Sequence, residues 1–183
     1  MKYLLTLLLF FTTSLSAGGP AAVVILRHAE KAPKGDFLDQ KGRERAAALA
    51  PFFIGSEWVF QFGTPISIYA QRPDKEHSSQ RPIETMNPLA NALNIQINTQ
   101  YTRELFPQMV TEILLSQKYE GKMVLICWEH DDIPDIARML GAAEAPKKWK
   151  SKAFDRLWIL KFVNGAVQFE DQPQSLMYGD SSH

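Results

Sequence analysis

Two histidines in this chain end apolar runs. His28 follows VVILR at residues 23–27, and His130 follows MVLICWE at 123–129. A third segment, SSQRPIETMNPLA at 78–90, sets Arg81 directly before Pro82. Proline favours the first helical position, so Arg81 is expected at a helix cap, beside backbone N–H groups that have no partner within the helix. A helix start with a guanidinium next to it suits an anion. Two forked guanidiniums, Arg27 and Arg81, together with two imidazoles match the oxygens of a tetrahedral dianion such as a phosphoryl group. The other two histidines offer less: His77 lies in a polar loop and His183 is the last residue.

These residues meet only if the elements carrying them share one rim. Continuous apolar runs at 22–26, 65–70 and 122–128 read as buried strands, and alternating Ile95 and Ile97 read as a short one. Helical spacing of apolar residues marks 42–53, 82–93, 108–117 and 133–140. Arg156 to Val163 and Ala166 to Phe169 read as a hairpin turning at Asn164-Gly165. Buried strands alternating with helices imply α/β architecture with a mainly parallel sheet covered on both faces. In such sheets ligands bind beyond the carboxyl ends of the strands, where Arg27-His28 and Glu129-His130 would both lie.

Composition sets the frame. The chain has 183 residues and a formal net charge of zero, enough for one domain. No basic excess points to nucleic acid, so an anion site must be local. Residues 1–17, with Lys2, an apolar run from Leu4 to Phe11 and small residues Ser14 to Ala17, read as a signal peptide. The apolar run is shorter than the roughly 20 residues of a membrane-spanning helix. The expected product is a periplasmic or secreted domain at 18–183. Its single cysteine, Cys127, lies in an apolar run and reads as a buried, inert thiol.

RHAEK after a buried strand, LDQKGRERAAAL at 38–49, RPIET opening a helix and WEHDDIP at 128–134 together resemble the histidine phosphatase superfamily, which shares its fold with the phosphoglycerate mutases. The WEHDDIP form is similar to that of small bacterial and fungal members, and the chain reads as a small exported bacterial one. The resemblance spans essentially all of 18–183. It implies a three-layer α/β/α sandwich and hydrolysis of a phosphomonoester through a phosphohistidine on His28. It also implies that Arg27, Arg81 and His130 hold the phosphoryl oxygens, with no metal and no cofactor. A departing alkoxide needs a proton, and two carboxylic acids are candidates. Asp131 resembles the acid-phosphatase branch and Glu104 the mutase-like branch; attachment to His130 favours Asp131. Export favours a phosphatase over a mutase, since the bisphosphoglycerate that primes mutases is not expected outside the cell.

Other readings compete with these. Arg27-His28 alone would fit an ion-paired strand end. Asp131 would fit the cap of the next helix. His130 with Glu129, Asp131 and Asp132 would fit half a metal site, but further ligands in suitable spacing are missing. Lys147 to Lys152 reads as a solvated face. From another class, the same pocket would suit a phosphate-binding protein without turnover. A narrower enzymatic alternative is a phosphatase for envelope sugars such as lipopolysaccharide. The expected partner is a small phosphorylated substrate, with phosphoprotein and envelope sugar phosphate both open, and neither nucleic acid nor, after signal cleavage, membrane. Oligomeric state is open. Short segments between motifs predict a pocket with an open mouth.

Overall fold

Six residues with no strong turn former, AVVILR, make the first strand, β1 (Ala22–Arg27), and every one of them is buried. The same holds for MVLICW in β4 (Met123–Trp128). These two central strands pair in parallel from Ala22↔Met123 to Arg27↔Trp128, which brings Arg27 and Trp128 level at one end. The computed structural model describes residues 18–55 and 61–181. The expected signal peptide, Trp58 and His183 lie outside them. No helix among the described residues is long and apolar enough to cross a membrane.

The sheet has six strands in the order β3-β2-β4-β1-β5-β6, with β2 at Ser67–Ala70, β3 at Ile97–Asn98, β5 at Arg156–Val163 and β6 at Ala166–Pro173. The first four strands are mutually parallel, and β5 and β6 close one edge antiparallel. Alternation sorts the core into two layers. Val23, Ile25, Val124, Ile126 and Trp128 pack with Met109 and Ile113 of α3 (Phe106–Leu115) and with Ile133 and Ile136 of α4 (Ile133–Met139). Val24, Leu26, Leu125 and Cys127 pack with Leu49 and Phe53 of α1 (Gln40–Gly55) and with Met86 and Leu89 of α2 (Arg81–Leu93). The chain is therefore a three-layer α/β/α sandwich with a mainly parallel sheet.

Several boundaries differ from the sequence reading, each for a local reason. Strand β2 begins at Ser67, later than the expected 65, because Pro65 has no N–H to pair. Helix α1 starts at Gln40, earlier than 42, because Asp39 Oδ1 accepts the Gly42 N–H at 2.7 Å and caps it. Helix α2 starts at Arg81 with Gln80 as its cap, so Pro82 holds the second position. Ile95 is not in a strand: its N–H closes the end of α2 on Ala90 O, after Asn94 in the left-handed region. Helix α3 is shifted to 106–115, with Pro107 in its first turn. Strand β6 runs four residues past 169, held by ion pairs of Arg156 with Asp171 and Lys161 with Glu170.

Gly42 is required by a close approach. A Cβ there would fall 2.2 Å from Glu30 O, so α1 lies directly on the loop that follows His28. Gly42→Ala is expected to cost about 1–3 kcal/mol through overpacking. A thermal melt should show a midpoint several degrees lower, and an unchanged midpoint would mean that the loop yields freely.

Candidate functional site

The parallel pairing of β1 with β4 delivers His28 and Glu129-His130 to one rim. His28 has no exposed surface and Arg27 is 2 % exposed. The His28 ring is fixed through Nδ1, which sits 2.7 Å from Ala29 O. With the proton on Nδ1 donated to that carbonyl, the lone pair is left on Nε2. Among the described residues Nε2 is buried without a hydrogen-bond partner, and Glu129 Oε2 is 3.5 Å away.

Helix α2 is stitched to this turn by Thr85. Its fully buried hydroxyl accepts the Ala29 N–H at 2.9 Å and donates to Arg81 O at 2.7 Å. The start of α2 is thereby tied to the residue after His28. The Arg81 guanidinium donates to Gly35 O at 2.8 Å, and its Nε is buried without a partner. Arg27 lies with its guanidinium carbon 4.0 Å above the Phe154 ring, donates through NH1 to Ser151 O, and likewise has an unpartnered Nε. Burial pulls the Arg27 pKa below its ordinary value; Arg81 acts in the same direction, while Glu129 and Asp131 oppose it.

His130 is partly buried, and its Nδ1 is bonded to Glu129 Oε1. Glu129 thus touches both imidazoles with one carboxylate. Burial alone would raise the Glu129 pKa, but the His28 and His130 imidazoles beside it hold it well below the usual carboxylate range. Its backbone N–H donates to the buried Gln71 side chain at 3.2 Å. Asp131 is 62 % exposed, with Oδ1 3.4 Å from His130 Nε2 and Oδ2 3.7 Å from Arg103. It does not cap α4: Asp132 occupies that position without a side-chain cap bond and is gripped by Arg103 at 2.8 and 3.1 Å.

Arg27, His28 and His130 therefore share a cluster centred on Glu129, and Asp131 borders it. Arg81 joins through Thr85 and through its effect on Arg27. Glu104 stands elsewhere: its carboxylate is 3.4 Å from His77 Nδ1, in a solvent-facing group with Asp74. Among the described residues these three are the one set of metal-type side chains whose ligand atoms come within 4.8 Å of one another. Cys127 is fully buried, and burial pushes its thiol pKa up, in keeping with the inert thiol expected there. The expected open mouth is not found at His28: Glu129 stands against its Nε2, and the Phe154 ring lies 6.0 Å from the imidazole. Reading the sequence missed Thr85 and Phe154, and it placed Glu129 at the rim without seeing that it bridges the two imidazoles. A charged residue directly after an otherwise apolar buried run was the available sign of Glu129.

No family model and no curated protein matches the chain in sequence. Solved structures do match in fold. The protein histidine phosphatase SixA complexed with tungstate aligns with TM-score 0.56 at 14 % identity, over 84 % of this chain and 97 % of that one. A phosphoserine phosphatase variant from Entamoeba histolytica, in complex with phosphoserine, aligns with TM-score 0.53 at 12 % identity, over 85 % and 98 %. Phosphoglycerate mutase from Bacillus anthracis str. Sterne aligns with TM-score 0.50 at 12 % identity, over 84 % and 93 %.

Proposed function

We infer that this chain is a member of the histidine phosphatase superfamily, because it shares its fold with phosphatases and a phosphoglycerate mutase. We propose that the chain is a phosphoric monoester hydrolase that passes a phosphoryl group first to His28 and then to water. The observation that carries this reading is three buried nitrogens that have no hydrogen-bond partner among the described residues, Arg27 Nε, His28 Nε2 and Arg81 Nε, on segments joined through Thr85. Leaving a buried polar group unsatisfied costs about 1–3 kcal/mol. Two cationic donors and one lone pair left open together suit a tetrahedral oxyanion approached by a nucleophile.

In the first step the lone pair on Nε2 attacks phosphorus and the ester oxygen departs. Arg27, Arg81 and His130 stabilise the charge on the phosphoryl oxygens. In the second step water attacks the phosphohistidine and the electron pair returns to Nε2. The departing oxygen needs a proton from a nearby acid; the sequence nominates Asp131, beside His130, and the geometry also brings Glu129 against His28. Residues 1–17 would export the protein to the periplasm or medium, which N-terminal sequencing of the mature chain tests.

The decisive experiment is hydrolysis of p-nitrophenyl phosphate by the purified protein from mildly acidic to neutral pH. Turnover is expected, and His28→Ala should reduce it to background. No turnover with inorganic phosphate still bound would give the pocket to a binding protein instead.

A further inference from the structure

Among the described residues, Glu129 is the one carboxylate in contact with His28. Oε2 lies 3.5 Å from His28 Nε2, and Oε1 is bonded to His130 Nδ1. A phosphorus poised for attack would stand about 3–3.5 Å from Nε2. Glu129 therefore holds the space that a phosphoryl oxygen or the departing oxygen must enter. We propose, building on the hydrolase reading above, that Glu129 is the acid of the site: it takes up a proton as a dianionic substrate binds, and hands that proton to the departing oxygen.

The charges around it make this the consistent arrangement. In the empty pocket Glu129 faces His28 and Arg27 from β1, with Arg81 of α2 acting on Arg27. His130, Asp131 and Asp132 follow it on the chain, and Arg103 closes the far side against the two aspartates. Burial pushes the pKa of the neighbouring Cys127 thiol up. The cations balance an ionised Glu129 while the pocket is empty. An arriving phosphoryl dianion takes over those cations and sets two negative charges against the carboxylate. Like charges this close do not both persist, so a proton is bound. Asp131 has no comparable pressure, being largely exposed and paired toward Arg103.

The protons balance through both steps. Nε2 bonds to phosphorus as the ester P–O bond breaks, and the departing oxygen takes the proton of Glu129. The carboxylate so formed accepts a proton from water as the water oxygen bonds to phosphorus and the N–P bond breaks. One alcohol leaves after the first step, and as the phosphate leaves Glu129 releases its proton to solvent, which returns the one taken up on binding, and is again ionised.

The test compares two esters on the full mature chain. p-Nitrophenol leaves readily without a proton, whereas the alcohol of β-glycerophosphate does not. Glu129→Gln is expected to lower kcat on β-glycerophosphate by about 10²–10⁴-fold and to change kcat on p-nitrophenyl phosphate far less. Calorimetric titration of inorganic phosphate in buffers of different ionisation enthalpy should show proton uptake by the wild type that Glu129→Gln lacks. Equal losses on both esters, or unchanged proton uptake in a variant that still binds phosphate, overturn the proposal. So does a leaving-group-dependent loss in Asp131→Asn with none in Glu129→Gln. A Glu129→Gln chain that neither melts cooperatively nor binds phosphate would assign Glu129 a structural role and overturn it as well. A wild type that hydrolyses neither ester refutes the hydrolase reading itself, which is a separate result.

Discussion

Replacing Arg45 by methionine should remove about 3–5 kcal/mol of stability, a large share of the roughly 5–15 kcal/mol that holds such a domain together. Arg45 is 2 % exposed and grips two carboxylates from distant parts of the chain. It donates to Glu30 at 2.9 and 2.8 Å and to Asp180 at 2.9 and 2.7 Å. Gln174 accepts from the same guanidinium at 3.1 Å. Methionine fills much of the volume but leaves Glu30 and Asp180 buried without their partner. The C-terminal segment around 174–181 and the turn after His28 would lose their shared anchor together. Urea unfolding should show the lower midpoint. An unfolding free energy within about 0.5 kcal/mol of wild type, the ordinary range for surface changes, would mean that the network is not formed in solution.

The same network fixes how stability responds to acid. Burial would raise the Glu30 pKa, but bonding and charge from Arg45 bring it below the usual carboxylate value, and Asp180 is lowered in the same way. Groups lowered on folding stabilise the native chain above their unfolded pKa, about 4. That contribution is lost as pH falls from there through the folded values. Wild type should therefore lose stability steeply below about pH 4. Arg45→Met should follow a flatter curve there, because its carboxylates have less depression to lose.

What could be read along the chain was whatever local pattern dictates. The buried runs of β1 and β4 need no partner to declare themselves, and Asn164-Gly165, with φ of 51° and 78°, makes the turn its residue types demand. Pairing β1 to β4 in register then brings Arg27-His28 level with Glu129-His130, which the sheet rule anticipates without giving any side-chain direction. Contacts made across the sequence stayed hidden. Arg45 reads as one more charged residue on an alanine-rich helix, and nothing near it announces Asp180, 135 positions away. Thr85 looks like an ordinary helical threonine, yet it is fully buried and binds the turn after His28. Ile95 fits a strand pattern but serves the end of α2, because closing a helix competes for the same N–H.

Arg27→Lys should lower kcat on p-nitrophenyl phosphate by about 10²–10³-fold while the protein remains folded, a loss equivalent to about 2.7–4 kcal/mol of transition-state stabilisation. The change keeps the positive charge and removes the planar fork. In the native chain that fork is divided: NH1 is committed to Ser151 O, the plane rests on Phe154, and Nε is left open. A lysine ammonium is a single point donor with no stacking plane. It can replace the bond to Ser151 or meet a phosphoryl oxygen, but not hold both positions at once. Binding of inorganic phosphate should weaken less than turnover falls, because the ground state needs charge and the transition state needs charge in a fixed place. Measuring kcat, KM and the thermal midpoint together separates these effects. If kcat in Arg27→Lys stays near wild type, orientation of the guanidinium contributes nothing to the chemical step. A fall in kcat matched only by a collapsed thermal midpoint would instead assign Arg27 to holding the 151–154 segment against β1.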